Sequence, residues 1–84
     1  MSIDGYLING VAKNIPDSTT VLMYLYPKTD IVIDSTIVIN EKFQFKGKIE
    51  RPRIAMLRIE STKDRRMFWL ENHKINIKGE KGNF

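Results

Sequence analysis

Residues 40–53 read NEKFQFKGKIERPR, and within them Phe43, Phe45 and Ile49 alternate with Lys42, Gln44, Lys46 and Lys48. Successive side chains of a strand point to opposite faces, so this period of two sends the rings toward a core and the lysines toward water. The same lysines would also suit a basic surface that meets an acidic ligand. Ahead of the run, Asn40-Glu41 has the length of a two-residue hairpin loop, in which Asn takes positive φ readily and Glu less so, and Asn72-His73 is expected to turn the last hairpin similarly.

The period recurs along the chain. Strand-forming runs occupy 6–13, 20–26, 31–39, 42–49, 53–60, 67–70 and 74–78, separated by turn chemistry at 15–18, 27–30, 40–41, 61–66 and 72–73. No stretch combines a cap, an i/i+3/i+4 apolar stripe and helical length. Ile75 and Ile77 set against Lys74, Asn76 and Lys78 repeat the opening pattern, and Ala55, Leu57 and Ile59 form another inward row. Gly10 and Gly47 inside strands predict a bulge, a bend or close approach of another group, and Pro52 marks a break between strands. The expected fold is all-β: an antiparallel β-sandwich of about seven short strands, or alternatively a partly open small barrel. Residues 6–79 form the single domain, 1–5 read as an expression start, and Glu80–Phe84 read as the start of a linker toward a further domain.

Composition bounds the chemistry. A chain of 84 residues holds one core and buries only roughly 60–65% of its unfolded surface. With no cysteine, disulfides, thiolate catalysis and cysteine-ligated zinc are excluded within this chain. No apolar run approaches the ~20 residues of a membrane helix. Residues 1–40 carry two Lys against four Asp, and residues 41–84 carry twelve Lys or Arg against six Asp or Glu, so the charge runs from −2 to +6. Lys42, Lys46, Lys48, Arg51, Arg53, Arg58, Arg65 and Arg66 are the resulting candidate interaction surface.

Catalytic signatures are missing. His73 is the single histidine and lies in the turn dipeptide Asn72-His73, so it reads as a solvated turn residue. Ser18, Ser35 and Ser61 have no elbow or spacing that would make a triad with it, and no ligand spacing indicates a metal. Asp34-Ser35, inside the apolar run IVIDSTIVI, reads as a polar tie between a strand crossing and neighbouring backbone. Trp69, Phe68, Phe43, Phe45 and Tyr24 among the arginines could stack single-stranded nucleic acid. A domain this small needs most of its rings inside, so the same five read as core.

The ordered set Ile8, Gly10, Pro16-Asp17, Asp34-Ser35, Phe43-Gln44-Phe45, Gly47, Pro52 and Leu70-Glu71-Asn72 before Ile75 and Ile77 resembles a family. It is the small all-β domain of unknown function that precedes thioredoxin-like, AhpC/TSA-type thiol-disulfide oxidoreductase domains in secreted lipoproteins of gut-type Gram-negative bacteria. Members usually place glycine after the turn Asn, where Glu41 and His73 stand here. The resemblance implies a non-catalytic module of the cell envelope, without cofactor or metal, joined to a C-terminal thioredoxin-like domain and able to contact a protein partner or self-associate through a sheet edge. A basic nucleic-acid or polyanion binder is the alternative. Gly10, Asp34, Ser35, Phe43, Phe45, Gly47, Pro52, Glu71 and Asn72 carry the resemblance as structural residues, and it brings no binding residues with it.

Overall fold

A computed structural model describes residues 5–26 and 31–84. Met1-Ser2 and the Pro27–Asp30 turn signal therefore lie outside the described residues. The strands are β1 (Tyr6–Lys13), β2 (Thr20–Leu25), β3 (Val32–Ile37), β4 (Lys42–Gly47), β5 (Arg53–Ile59), β6 (Arg65–Leu70) and β7 (Lys74–Glu80). They form two open sheets, a three-stranded β4-β1-β7 and a four-stranded β3-β2-β5-β6. The molecule is a sandwich of 32 × 31 × 18 Å rather than a closed barrel.

Alternation sets the inward rows. Ile8, Ala12, Phe43, Phe45 and Ile77 from one sheet meet Val21, Met23, Ala55, Leu57, Ile59 and Leu70 from the other, all buried. Phe43 and Phe45 stack edge to face at 6.0 Å and 78°. The glycines inside strands make room for rings: Gly10 lies opposite Phe43 and Gly47 opposite Tyr6 in the β1–β4 ladder. A Cβ on Gly10 would come within 2.1 Å of the Phe43 ring, and one on Gly47 within 2.5 Å of the Tyr6 hydroxyl.

The hairpin at Asn40-Glu41 forms, with Ile39 and Lys42 exchanging both main-chain bonds at 2.8 and 3.0 Å. Both loop residues have positive φ, 52° and 62°, which is the type I′ turn that suits strand twist. Glu41 tolerates it because its oxygens are used. Its carbonyl accepts Ala12 N–H at 2.7 Å, and its Oε2 accepts Asn14 N–H at 2.6 Å.

Three sequence expectations are corrected. β1 and β7 pair in parallel, so the sandwich is not wholly antiparallel. Asn72-His73 turns no hairpin, because β6 and β7 belong to different sheets and the segment crosses between layers. Asn72 instead acts as a short piece of strand: its Oδ1 accepts Ile49 N–H at 2.9 Å and its Nδ2 donates to Ile49 carbonyl at 2.6 Å. Glu80–Phe84 is not a linker. β7 runs to Glu80, Lys81 N–H donates to Lys13 carbonyl at 3.0 Å, Gly82 N–H donates to Asp64 Oδ2 at 2.9 Å, and Phe84 packs on the core.

Candidate functional site

The eight basic residues singled out from the sequence do not form one surface. Lys42 and Lys46 project from the outer face of the three-stranded sheet, and Lys48 and Arg51 lie in the connection after it. Half-buried Arg53 begins β5, and Arg66 donates from Nη1 to Phe84 carbonyl at 3.1 Å. Arg58 and Arg65 stand directly opposite each other on the four-stranded sheet.

The outer face of the three-stranded sheet is polar. Register aligns Lys46–Leu7–Lys74, Gln44–Asn9–Asn76 and Lys42–Val11–Lys78 across β4, β1 and β7, with Gln44 Nε2 donating to Asn9 Oδ1 at 2.9 Å. The lysines of the opening stretch are thus the solvated side of an ordinary strand, joined by Lys74 and Lys78. Among the described residues no exposed ring accompanies them, since Phe43 is 4% and Phe45 1% exposed.

The other outer face is different. Across β3, β2, β5 and β6 one row runs Val32–Tyr24–Met56–Met67, and the next joins Tyr26, Ile54 and Trp69 through the Ile54–Trp69 pair and a Tyr26 N–H to Ile54 carbonyl bond of 2.9 Å. Trp69 is 56%, Met67 49%, Tyr26 47% and Ile54 41% exposed. Trp69, expected in the core with the other rings, is outside it, and Tyr24 is buried within this outer face rather than in the core cluster. Tyr24, Tyr26, Met56 and Met67 bound a depression of about 400 Å³ with Arg58 and Arg65 at its end. Like charges directly opposite across a ladder destabilise it. Glu60 meets Arg58 only at 3.6 Å and also faces Lys63 at 3.6 Å. The arrangement offers an apolar centre with a cationic end that a carboxylate would relieve.

Asp34-Ser35 is the polar tie expected of it. Asp34 Oδ1 accepts Ser35 N–H at 2.8 Å, while Oδ2 accepts the Tyr6 hydroxyl at 3.4 Å across the sandwich. Burial first, and then the neighbouring Asp34 carboxylate, push the Tyr6 phenol up from 10.0 to about 12. A raised folded-state pKa means the stabilisation is complete below the unfolded value and lost as pH rises through the folded one. Stability is therefore expected to fall between pH 10 and 12. Absorbance titration should show a tyrosine phase near pH 12 that Tyr6→Phe removes, whereas ionisation complete below about pH 11 would contradict it.

His73 is a solvated turn residue whose Nε2 faces Glu71 Oε1 at 3.2 Å. Among the described residues no three of His, Asp and Glu converge to hold a metal ion, and no helix is long and apolar enough to cross a membrane. The apolar face was missed in the sequence because β6, RRMFWL, is apolar on both sides. Pairing Phe68 with inward Ala55 is what turns Met67 and Trp69 outward.

No curated protein and no solved structure matches the chain. A family profile does match, over residues 6–84, taking in every strand and the folded-back tail, and by it the chain belongs to the family described as a domain of unknown function, DUF4369.

Proposed function

We propose that this chain is a non-catalytic interaction module of the cell envelope, which seats a thioredoxin-like thiol-disulfide oxidoreductase domain of the same parent lipoprotein on the outer face of its four-stranded sheet. The observation that carries this reading is the row of exposed Trp69, Met67, Ile54 and Tyr26 on one sheet face. An outward sheet face is ordinarily polar, and exposed apolar patches rimmed by charge mark protein contact sites. The opposed Arg58 and Arg65 favour a partner with a carboxylate at its rim over a second copy of the same face, which would add arginine to arginine. Phe84 carbonyl accepts from Arg66 of β6, so a chain continuing past it would start at the edge strand of the four-stranded sheet. The resemblance in motif order supplies the identity of the partner domain.

The test is peroxide oxidation of methionine, which follows side-chain exposure, compared between this domain alone and the intact parent protein. Met67 is expected to oxidise readily in the isolated domain and about tenfold more slowly in the parent. Acetylation of Lys46 and Lys78 on the opposite face should be the same in both. Equal Met67 oxidation in both proteins would overturn the reading.

A further inference from the structure

Sheet edges present unpaired N–H and C=O groups, and native domains blunt them with charge. Among the described residues, three of the four sheet edges are blunted by charge. A second copy pairing antiparallel along β4 about Gln44 would set Lys42 against Lys46 of that copy, and pairing along β7 about Asn76 would set Lys74 against Lys78. β6 opens on exposed Arg65 and Arg66. The fourth edge, β3, has the sequence VIDSTI and no cation. Its one carboxylate, Asp34, bonds to Tyr6 and to its own neighbour. Val32 is 45%, Ile33 36% and Ile37 45% exposed.

The backbone of β3 is oriented for pairing. Val38 turns both its groups to β2, accepting Ser18 N–H at 2.8 Å and donating to Thr19 carbonyl at 2.9 Å. Alternation along an antiparallel ladder then gives Thr36 and Asp34 to β2 and leaves Ile37 and Ser35 facing the open side, up to the irregularity that interrupts the β2–β3 register between Asp34 and Val32. Ile39 also faces that side, and there it meets Lys42 of the hairpin. Among the described residues, Ser35 N–H is held by the adjacent Asp34 Oδ1, in an exposed bond.

We infer that a second copy of this chain pairs antiparallel along β3, about a two-fold axis at Ser35, joining two four-stranded sheets into one of eight. That register sets Ile33 against Ile37 of the other copy, Ser35 against Ser35 and Asp34 against Thr36, so apolar meets apolar and no like charges oppose. The contact is separate from the docking face proposed above, whose exposed centre lies toward β6 at the opposite edge.

The chain has no cysteine, so one cysteine reports one contact. Residues paired in this way have Cα atoms about 5.5 Å apart, inside the disulfide range. Ser35→Cys is expected to form a disulfide-linked dimer under mild oxidation about tenfold faster than Gln44→Cys, the matching probe at the centre of the β4 edge. The unmodified chain should sediment as a dimer, and Ile37→Lys, checked for an unchanged melting curve, as a monomer. A monomer at about 1 mM, equal cross-linking of the two cysteine variants, or a dimer that persists with Ile37→Lys but dissociates with Ile54→Lys would each overturn the proposal. These outcomes are read on the isolated domain, independently of whether Met67 is covered in the parent protein.

Discussion

A Phe45→Ala chain is expected to lose about 3–5 kcal/mol of folding stability at 25 °C. Phe45 is 1% exposed and lies opposite Ile8, which is fully buried, with the Phe43 ring edge-on beside it. Truncating a buried phenylalanine removes its transfer free energy and leaves a cavity, together about 3–5 kcal/mol. At roughly 0.05–0.15 kcal/mol per residue, 84 residues have about 4–13 kcal/mol in total. The loss is therefore comparable with the whole stability at the lower end. Urea unfolding followed by circular dichroism measures it, with an unchanged slope for a two-state chain. A loss below about 1 kcal/mol would mean that the ring does not sit between the sheets.

The second large effect reverses an ordinary sign. Glycine to alanine inside a strand commonly stabilises, since the unfolded chain loses freedom and the strand gains a side chain. At Gly10 the new Cβ would lie 2.1, 2.3 and 2.4 Å from three Phe43 ring carbons. That ring is 4% exposed and packed against Phe45, so it cannot swing aside without disturbing the inter-sheet layer. Gly10→Ala is expected to destabilise by about 3 kcal/mol, the upper part of the range for overpacking. Shortening Phe43 to leucine should relieve the clash. The double variant Gly10→Ala/Phe43→Leu is then expected to be more stable than the sum of the single changes by at least about 1 kcal/mol. A neutral or stabilising Gly10→Ala would show that the ring is not stacked over the glycine.

Much of this architecture was legible in the sequence because alternation is a local signal. Lys42–Gly47, with its rings inward and lysines outward, reads the same in the sequence and in the sandwich, as do the hairpin at Asn40-Glu41 and the tie at Asp34-Ser35. What the pattern could not carry was partner choice. Nothing near Lys74–Glu80 says that it pairs with β1 in parallel, since that contact joins Leu7 to Lys74. Nor does Asn72-His73 reveal that the chain is changing layers. The tail was misread for a related reason: Gly79 and Gly82 have linker composition, but Gly79 is where the Phe84 ring lies close.

The candidate site was least legible. Alternation assigns two faces to a strand without saying which is buried, and in Met67–Leu70 both are apolar. The basic residues that the sequence sets beside rings do not share one surface, because Arg58 and Arg65 lie on one face, Lys42 and Lys46 on the other, and Arg66 against Phe84.

The parallel pairing of β1 with β7 bears on how the chain is made. β1 is the central strand of its sheet, and its partners arrive late: Lys46 follows Leu7 by 46 − 7 = 39 residues and Lys74 by 74 − 7 = 67. Contacts so distant in sequence slow folding, because loop closure must precede them. At about 5–20 residues per second, a ribosome takes roughly 3–13 s to add those 67 residues. Throughout that interval Ile8 and Ala12 lack one flank, and the nascent sandwich cannot close until its seventh strand has cleared the exit tunnel.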